Sequence, residues 1–168
     1  MYKSYYESPI GLMTLVSDGD ALIGVWIEGQ KYFAATMDEN TVEKNDLEIF
    51  LKTRSWLDRY FAGDKPGHDE LSLAPKGSLF RQGIWKILLG IPYGETIAYG
   101  EIAVRIAKQS GILRMSAQAV GGAVGHNPIS IIIPCHRVIG SKGQLTGFAS
   151  GLTKKEWLLR HEGAEIMG

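Results

Sequence analysis

The sequence predicts a two-domain α/β protein, a small sheet-and-helix domain followed by a mainly helical domain that contains a helix-turn-helix pair. Three observations carry this prediction. Strand-like segments rich in aromatic and β-branched residues crowd the N-terminus, helical spacing dominates from residue 78 onward, and a Pro- and Gly-bearing connector, Lys65 to Gly77, lies between them. Charge is also split there. Residues 1 to 76 hold 8 Lys+Arg against 13 Asp+Glu, a net −5, whereas residues 77 to 168 hold 10 against 5, a net +5, so the overall zero conceals a basic C-terminal half. The domains are therefore set at 1–76 and 77–168.

Tyr2 to Glu7, Leu12 to Ser17 and Ala21 to Ile27 read as strands separated by the Ser8-Pro9-Ile10-Gly11 and Asp18-Gly19-Asp20 turns, which makes a small antiparallel sheet. Leu47, Phe50, Leu51, Trp56, Leu57 and Phe61 then recur at helical spacing, and Gly63 ends that helix. In the second half Phe80, Ile84, Trp85, Leu88 and Leu89 form an apolar stripe behind a Ser78 N-cap and stop at Gly90. Tyr99 to Lys108 and Ser116 to Val124 follow as two short helices joined by a turn, the second full of small residues. Thr153-Lys154-Lys155-Glu156 fits a T-x-x-E capping box and opens a last helix that runs to about His161 before Gly163.

The chain of 168 residues has the apolar fraction of a globular protein, 45%, and one cysteine, which cannot form an internal disulfide. No N-terminal apolar stretch approaches the length of a signal peptide or membrane span, so a reducing, cytoplasmic setting is expected, with no membrane association. The N-terminal domain carries no Cys/His cluster, and neither a metal site nor a cofactor is expected.

The chemistry concentrates in Ile131-Ile132-Ile133-Pro134-Cys135-His136-Arg137-Val138. A nucleophilic cysteine needs a base or cation nearby to form thiolate, and His136 is adjacent in sequence. In extended backbone, neighbouring side chains face opposite sides, so the expectation is a water bridge between them, with Pro134 making a rigid corner at the end of a strand-like segment. Without context a lone cysteine reads more readily as a small buried hydrophobe than as a nucleophile. Glu162 falls in the last turn of the final helix, against the negative end of its dipole, which costs ~0.3–1 kcal/mol unless a partner compensates.

Pro134-Cys135-His136-Arg137-Val138, preceded by Ala119-Val120-Gly121-Gly122-Ala123 and Asn127-Pro128 and followed by Lys155-Glu156-Trp157-Leu158-Leu159 and His161-Glu162-Gly163, resembles the O6-alkylguanine-DNA alkyltransferases over roughly residues 78 to 163. The resemblance implies a ribonuclease-H-like N-terminal module and a winged-helix-like, DNA-binding C-terminal domain. It also implies that Cys135 takes an alkyl group from O6 of a damaged guanine and keeps it, through a Glu162–His136–water–Cys135 relay. Tyr99 would rotate the target phosphate and protonate the leaving guanine, and Asn127 would tie the recognition helix to the cysteine loop. Gln118, Ala119, Gly122, Ala123 and Ser141 would meet DNA through the minor groove, while Val138, Phe148 and Ala149 would line the base pocket. The expected partner is double-stranded DNA containing O6-alkylguanine, bound by a monomer.

Gln118 departs from the pattern, because the family usually places there an arginine that fills the vacated stack. The turn from Lys108 to Arg114 is also longer than in many relatives, and Arg114 is a candidate to reach in from it. Arg137 reads as a structural ion-pair partner. Two rival readings remain open at this stage: a non-catalytic protein that binds alkylated guanine, which the retained Cys135 argues against, and a thiol hydrolase, for which no acyl-stabilising site is evident.

Overall fold

The computed structural model describes residues 1–149 and 151–166, and the chain divides into two compact units, Met1–Lys76 with Pro128–Ile132 and Gly77–Asn127 with Ile133–Gly168. In the first unit, strands β1 (Tyr2–Ser8), β2 (Gly11–Ser17), β3 (Leu22–Ile27) and β4 (Val42–Glu43) form one sheet in the order β3-β2-β1-β4. β1 and β2 are a hairpin closed at Ser8↔Gly11, where Gly11 adopts φ 121, a conformation that costs a residue without Cβ little. β2 pairs antiparallel with β3 through a register shift at Val16/Ser17, and β4 adds in parallel at Tyr2↔Val42. All six residues of β3 are buried.

The backbone of β3 is paired on both edges. Beyond β2, its outer edge is occupied by bridges to Leu73 and Ile129. Leu22 N–H donates to Ser72 O and Ala74 N–H to Leu22 O, both at 2.8 Å; Val25 N–H donates to Pro128 O at 2.8 Å and Ser130 N–H to Val25 O at 2.9 Å. Part of the connector and the distant segment Pro128–Ile132 thus satisfy an edge that would otherwise stand unpaired. A linear boundary at 76/77 does not anticipate that placement. Helix α1 (Glu48–Phe61) buries Ile49, Phe50, Thr53, Trp56, Leu57 and Tyr60, the i, i+3, i+4 stripe of a core-facing helix.

In the second unit, α2 (Leu79–Leu89) starts at Ser78, whose Oγ accepts from Arg81 N–H at 3.3 Å, and ends at Gly90. The short strand β5 (Ile97–Ala98) leads into α3 (Tyr99–Gln109) and then α4 (Ala117–Gly125), where Ser116 Oγ accepts from Ala119 N–H at 3.0 Å. β6 (Val138–Ile139) pairs in parallel with β5, and α5 (Leu152–His161) closes the unit. β5 and β6 hold two residues each, too short for any sequence periodicity to reveal them.

Two expectations are corrected here. α5 begins two residues earlier than the T-x-x-E pattern indicates, with Gly151 at the N-cap and no side-chain cap, so Thr153 lies inside the helix and Glu156 accepts from Arg160 at 2.8 Å instead of reaching back. The Ile131–Ile133 segment is no strand: it is a buried turn that opens with Ile131 at φ 71, a conformation that a β-branched side chain adopts only under strong constraint. No described helix is long and apolar enough to cross a membrane.

Candidate active site

Pro134 sets the corner from which the site is built. Its φ −81 and ψ 66 lie in the inverse γ-turn well, so Cys135 N–H donates to Ile133 O at 2.8 Å, and Asn127 Nδ2 donates to the same carbonyl at 2.8 Å. Cys135, His136 and Arg137 then form one 3₁₀ turn in place of the extended backbone expected from sequence, so the opposite-faces argument does not hold for Cys135 and His136. All three side chains are buried.

Glu162 is the C-cap residue of α5 and is buried. Its carboxylate collects His136 Nε2 at 2.6 Å on Oε2, Arg137 Nη2 at 3.0 Å on the same oxygen, and Arg137 Nε at 2.8 Å together with Gly94 N–H at 3.2 Å on Oε1. The remaining Arg137 nitrogen donates to Ile91 O at 2.6 Å, and the guanidinium lies 5.7 Å from the Tyr93 ring centroid. The partner that the unfavourable helix end called for is therefore double. Burial by itself would raise the Glu162 carboxyl, but the hydrogen bond from His136 and then the bonds and charge of the Arg137 guanidinium outweigh it and hold the acid well below the usual carboxylate range.

The same arrangement decides the state of His136. Burial pushes its pKa down, Glu162 pulls it up, and Arg137 opposes protonation from the other side. Because the carboxylate is already neutralised by the guanidinium, the imidazole stays neutral. An ionised carboxylate only accepts, so Nε2 carries the hydrogen, and Nδ1 is left as a lone pair, buried and without a hydrogen-bond partner among the described residues. Cys135 is held as a thiol by burial, which raises its pKa; the hydrogen bond from the Asn127 side chain and the charge of Lys155 act in the opposite direction.

Lys155 is the residue that sequence reasoning passed over except as part of a motif. Its side chain is fully buried, Nζ donates to Thr146 O at 2.8 Å and Gly147 O at 3.1 Å, and among the described residues no carboxylate pairs with it. Burial lowers its pKa to about 8, against the opposing influence of Cys135. The signal was present in the chain. Lys155, Leu158, Leu159 and Glu162 follow i, i+3, i+4, i+7, the core stripe of α5 with a charge at either end, and charges at core positions mark a built site.

Tyr99, at the first turn of α3, is half-buried, and its hydroxyl contacts the same two carbonyls, Thr146 O at 3.1 Å and Gly147 O at 3.3 Å. Burial first, and the nearby Cys135 second, push its pKa up to about 12. Lys155 Nζ lies 5.8 Å from the Tyr99 ring centroid. Gly147, at φ 52, has Tyr99 Oη 3.7 Å from where a Cβ would stand. One loop is thereby fastened to α3 and α5 through two carbonyls. Val138 is buried in β6, Phe148 and Ala149 are half-buried on the loop, and Ser141 is exposed.

On α4, Gln118, Ala119 and Gly122 are exposed, and a Cβ built at Gly122 meets nothing within 4 Å, so helix packing does not explain that glycine. Ala123 differs from its expected surface role. It is buried, and its carbonyl accepts Trp85 Nε1–H at 2.9 Å, which makes it part of the α2–α4 core.

Known families cover both halves. The 6-O-methylguanine DNA methyltransferase ribonuclease-like domain matches residues 1–74, and the 6-O-methylguanine DNA methyltransferase DNA binding domain matches residues 79–164. The chain is 44% identical to the methylated-DNA–protein-cysteine methyltransferase of Methanosarcina acetivorans over 98% of its own length and 99% of the relative's, and 41% identical to that of Haemophilus influenzae over 96% and 86%. Among solved structures, Mycobacterium tuberculosis OGT in complex with DNA superposes with a TM-score of 0.84 at 40% identity, covering 97% of this chain and 93% of that one. A buried cysteine, followed in its own 3₁₀ turn by a histidine bonded to a glutamate, thus stands in the second of two domains that both match, and the chain belongs to the 6-O-methylguanine DNA methyltransferase family.

Proposed function

We propose that this protein repairs DNA by moving the alkyl group of O6-alkylguanine to Cys135, once per molecule, with duplex DNA bound through the minor groove and the damaged nucleotide flipped out. The observation that carries this reading is the buried His136, with Nε2–H fixed on Glu162 and the Nδ1 lone pair without a partner among the described residues, in the same 3₁₀ turn as the thiol.

Chemically, the Cys135 proton passes through a bridging water to His136 Nδ1, and Glu162 stabilises the imidazolium that forms. The sulfur lone pair attacks the saturated alkyl carbon, the carbon–O6 bond breaks, and its electrons leave on the guanine, which takes a proton from the Tyr99 side. A thioether has no acyl group for water to attack, so the protein is consumed. Lys155 opposes the cost of burying a thiolate. Asn127 holds Ile133 O and the thiol in register. Flipping is required because O6 lies on the paired edge of the base. Val138, Phe148 and Ala149 form the pocket for the flipped base, and Gln118, Ala119 and Gly122 with Ser141 meet the DNA strand. A reagent that depends on one reduced thiol suits the cytoplasm, where thiols stay reduced, and the proposed working unit is a monomer.

Mixing the protein with an oligonucleotide containing O6-methylguanine and weighing it by mass spectrometry tests the proposal. One methyl group on Cys135 per protein is expected, and none in Cys135→Ser. Turnover beyond one equivalent, or a tight complex with unmodified protein, would replace this reading by a hydrolase or by a lesion-binding protein.

A further inference from the structure

The turn from Ser110 to Ser116, between α3 and α4, carries side chains that the fold does not use. Leu113 is completely exposed at 106%, Ile112 is 44% and Val104 on α3 is 64% exposed, and they border a groove of about 350 Å³ whose wall also includes Lys108, Arg114 and Met115. A single exposed leucine is ordinary, but an apolar tip continuous with an apolar groove is not.

Charge identifies the occupant. From Ile102 to Lys155 the chain contains no Asp or Glu, so Lys108 and Arg114 face out with no carboxylate on their own segment, and the nearest acid before it, Glu101, is paired with Arg105 at 3.5 Å. Protein interfaces deplete charge at their apolar centre, whereas minor-groove proteins combine cations with apolar wedges that enter a base step. The turn also runs directly into α4, where Gln118 is exposed near the helix start.

Building on the alkyl-transfer reading above, we infer that Leu113 is an apolar wedge that enters the duplex beside the target nucleotide, with Arg114 neutralising a phosphate at its flank. The wedge holds open the step from which the base leaves. Gln118 is too short and uncharged to hold it alone.

The test uses the full chain and a duplex with 2-aminopurine next to O6-methylguanine, alongside free O6-methylguanine base, which needs no flipping. Leu113→Ala should slow single-turnover transfer from duplex by about tenfold and weaken the 2-aminopurine signal, with the free-base rate unchanged. Arg114→Ala should flatten the slope of log K against log salt by about 0.9, and Leu113→Ala should leave that slope alone. Wild-type transfer from duplex in Leu113→Ala, or equal slowing on both substrates, overturns the wedge while alkyl transfer stands. Wild-type protein inert on both substrates overturns alkyl transfer and the wedge together. A dimer in sedimentation that Leu113→Ala dissociates, with the duplex rate unchanged, makes the turn a self-association surface and also overturns the wedge.

Discussion

Arg137 grips Glu162 with two nitrogens, Nε to Oε1 at 2.8 Å and Nη2 to Oε2 at 3.0 Å, and this pairing keeps the neighbouring His136 a neutral base. A carboxylate with only the imidazole for company would draw a proton onto it. The ion pair links α5 to the cysteine turn, and in the proposed relay it would position His136.

Arg137→Met removes the guanidinium from both carboxylate oxygens and from Ile91 O. Leaving one member of a buried pair behind costs about 3–5 kcal/mol, which urea unfolding should show. The same variant should raise the pKa of His136, so that transfer becomes slower at neutral pH and recovers as pH rises. A pH–rate profile unchanged in shape would refute that role.

Glu162 contributes to stability with a definite sign. Its folded pKa is depressed, so its contribution is complete above the unfolded value of about 4.3 and is lost as pH falls through that value toward the folded one. Denaturation midpoints of the wild type should therefore fall steeply on acidification below about pH 4.3, and those of Glu162→Gln should fall less. At neutral pH, Glu162→Gln and His136→Ala should both slow alkyl transfer and shift the iodoacetamide profile of Cys135 to higher pH. Profiles that coincide with wild type would remove the relay.

For Lys155 the sign reverses. Its folded pKa is about 8 and its unfolded value is near 10.4, so between them the unfolded chain holds the extra proton and the folded state gains stability as pH rises. Cys135, whose pKa is raised, titrates in the opposite sense and is best removed by working in Cys135→Ser. In that background, Lys155→Met should be more stable than its parent at pH 7, with the advantage shrinking from about pH 8 to 10. In the otherwise unaltered protein, Lys155→Met should slow alkyl transfer.

Gln118 stands exposed at the start of α4. Gln118→Arg should accelerate transfer from duplex DNA, since a planar cation fills a vacated stack better and offsets part of an unstacking cost of a few kcal/mol. The free-base rate should stay the same, and the salt dependence of binding should steepen. Equal acceleration on both substrates would show that Gln118 does not limit flipping.

What the chain reveals by itself is set by near neighbours. The helix α1, the Ser78 and Ser116 caps and the β1–β2 hairpin all depend on residues within a few positions, so propensity and periodicity suffice to place them, although Leu51 of the expected α1 stripe is exposed and Ile49, Thr53 and Tyr60 are buried in addition. The capping-box reading of Thr153 failed because Gly151, at φ 93, starts α5 earlier than the local pattern implies. Much of the site was legible through the motif around Cys135, including Glu162, whose awkward helix end required a partner. Tertiary structure alone decided the rest: the grip of Arg137 on an acid 25 residues away, the Gly94 amide reaching across 68 residues to the same carboxylate, Lys155 buried beside the Tyr99 loop, and Pro128–Ile132 completing the edge of β3. Each of these joins groups brought together by packing, and a buried polar atom takes whatever partner the fold delivers, at a sequence distance that no local pattern encodes.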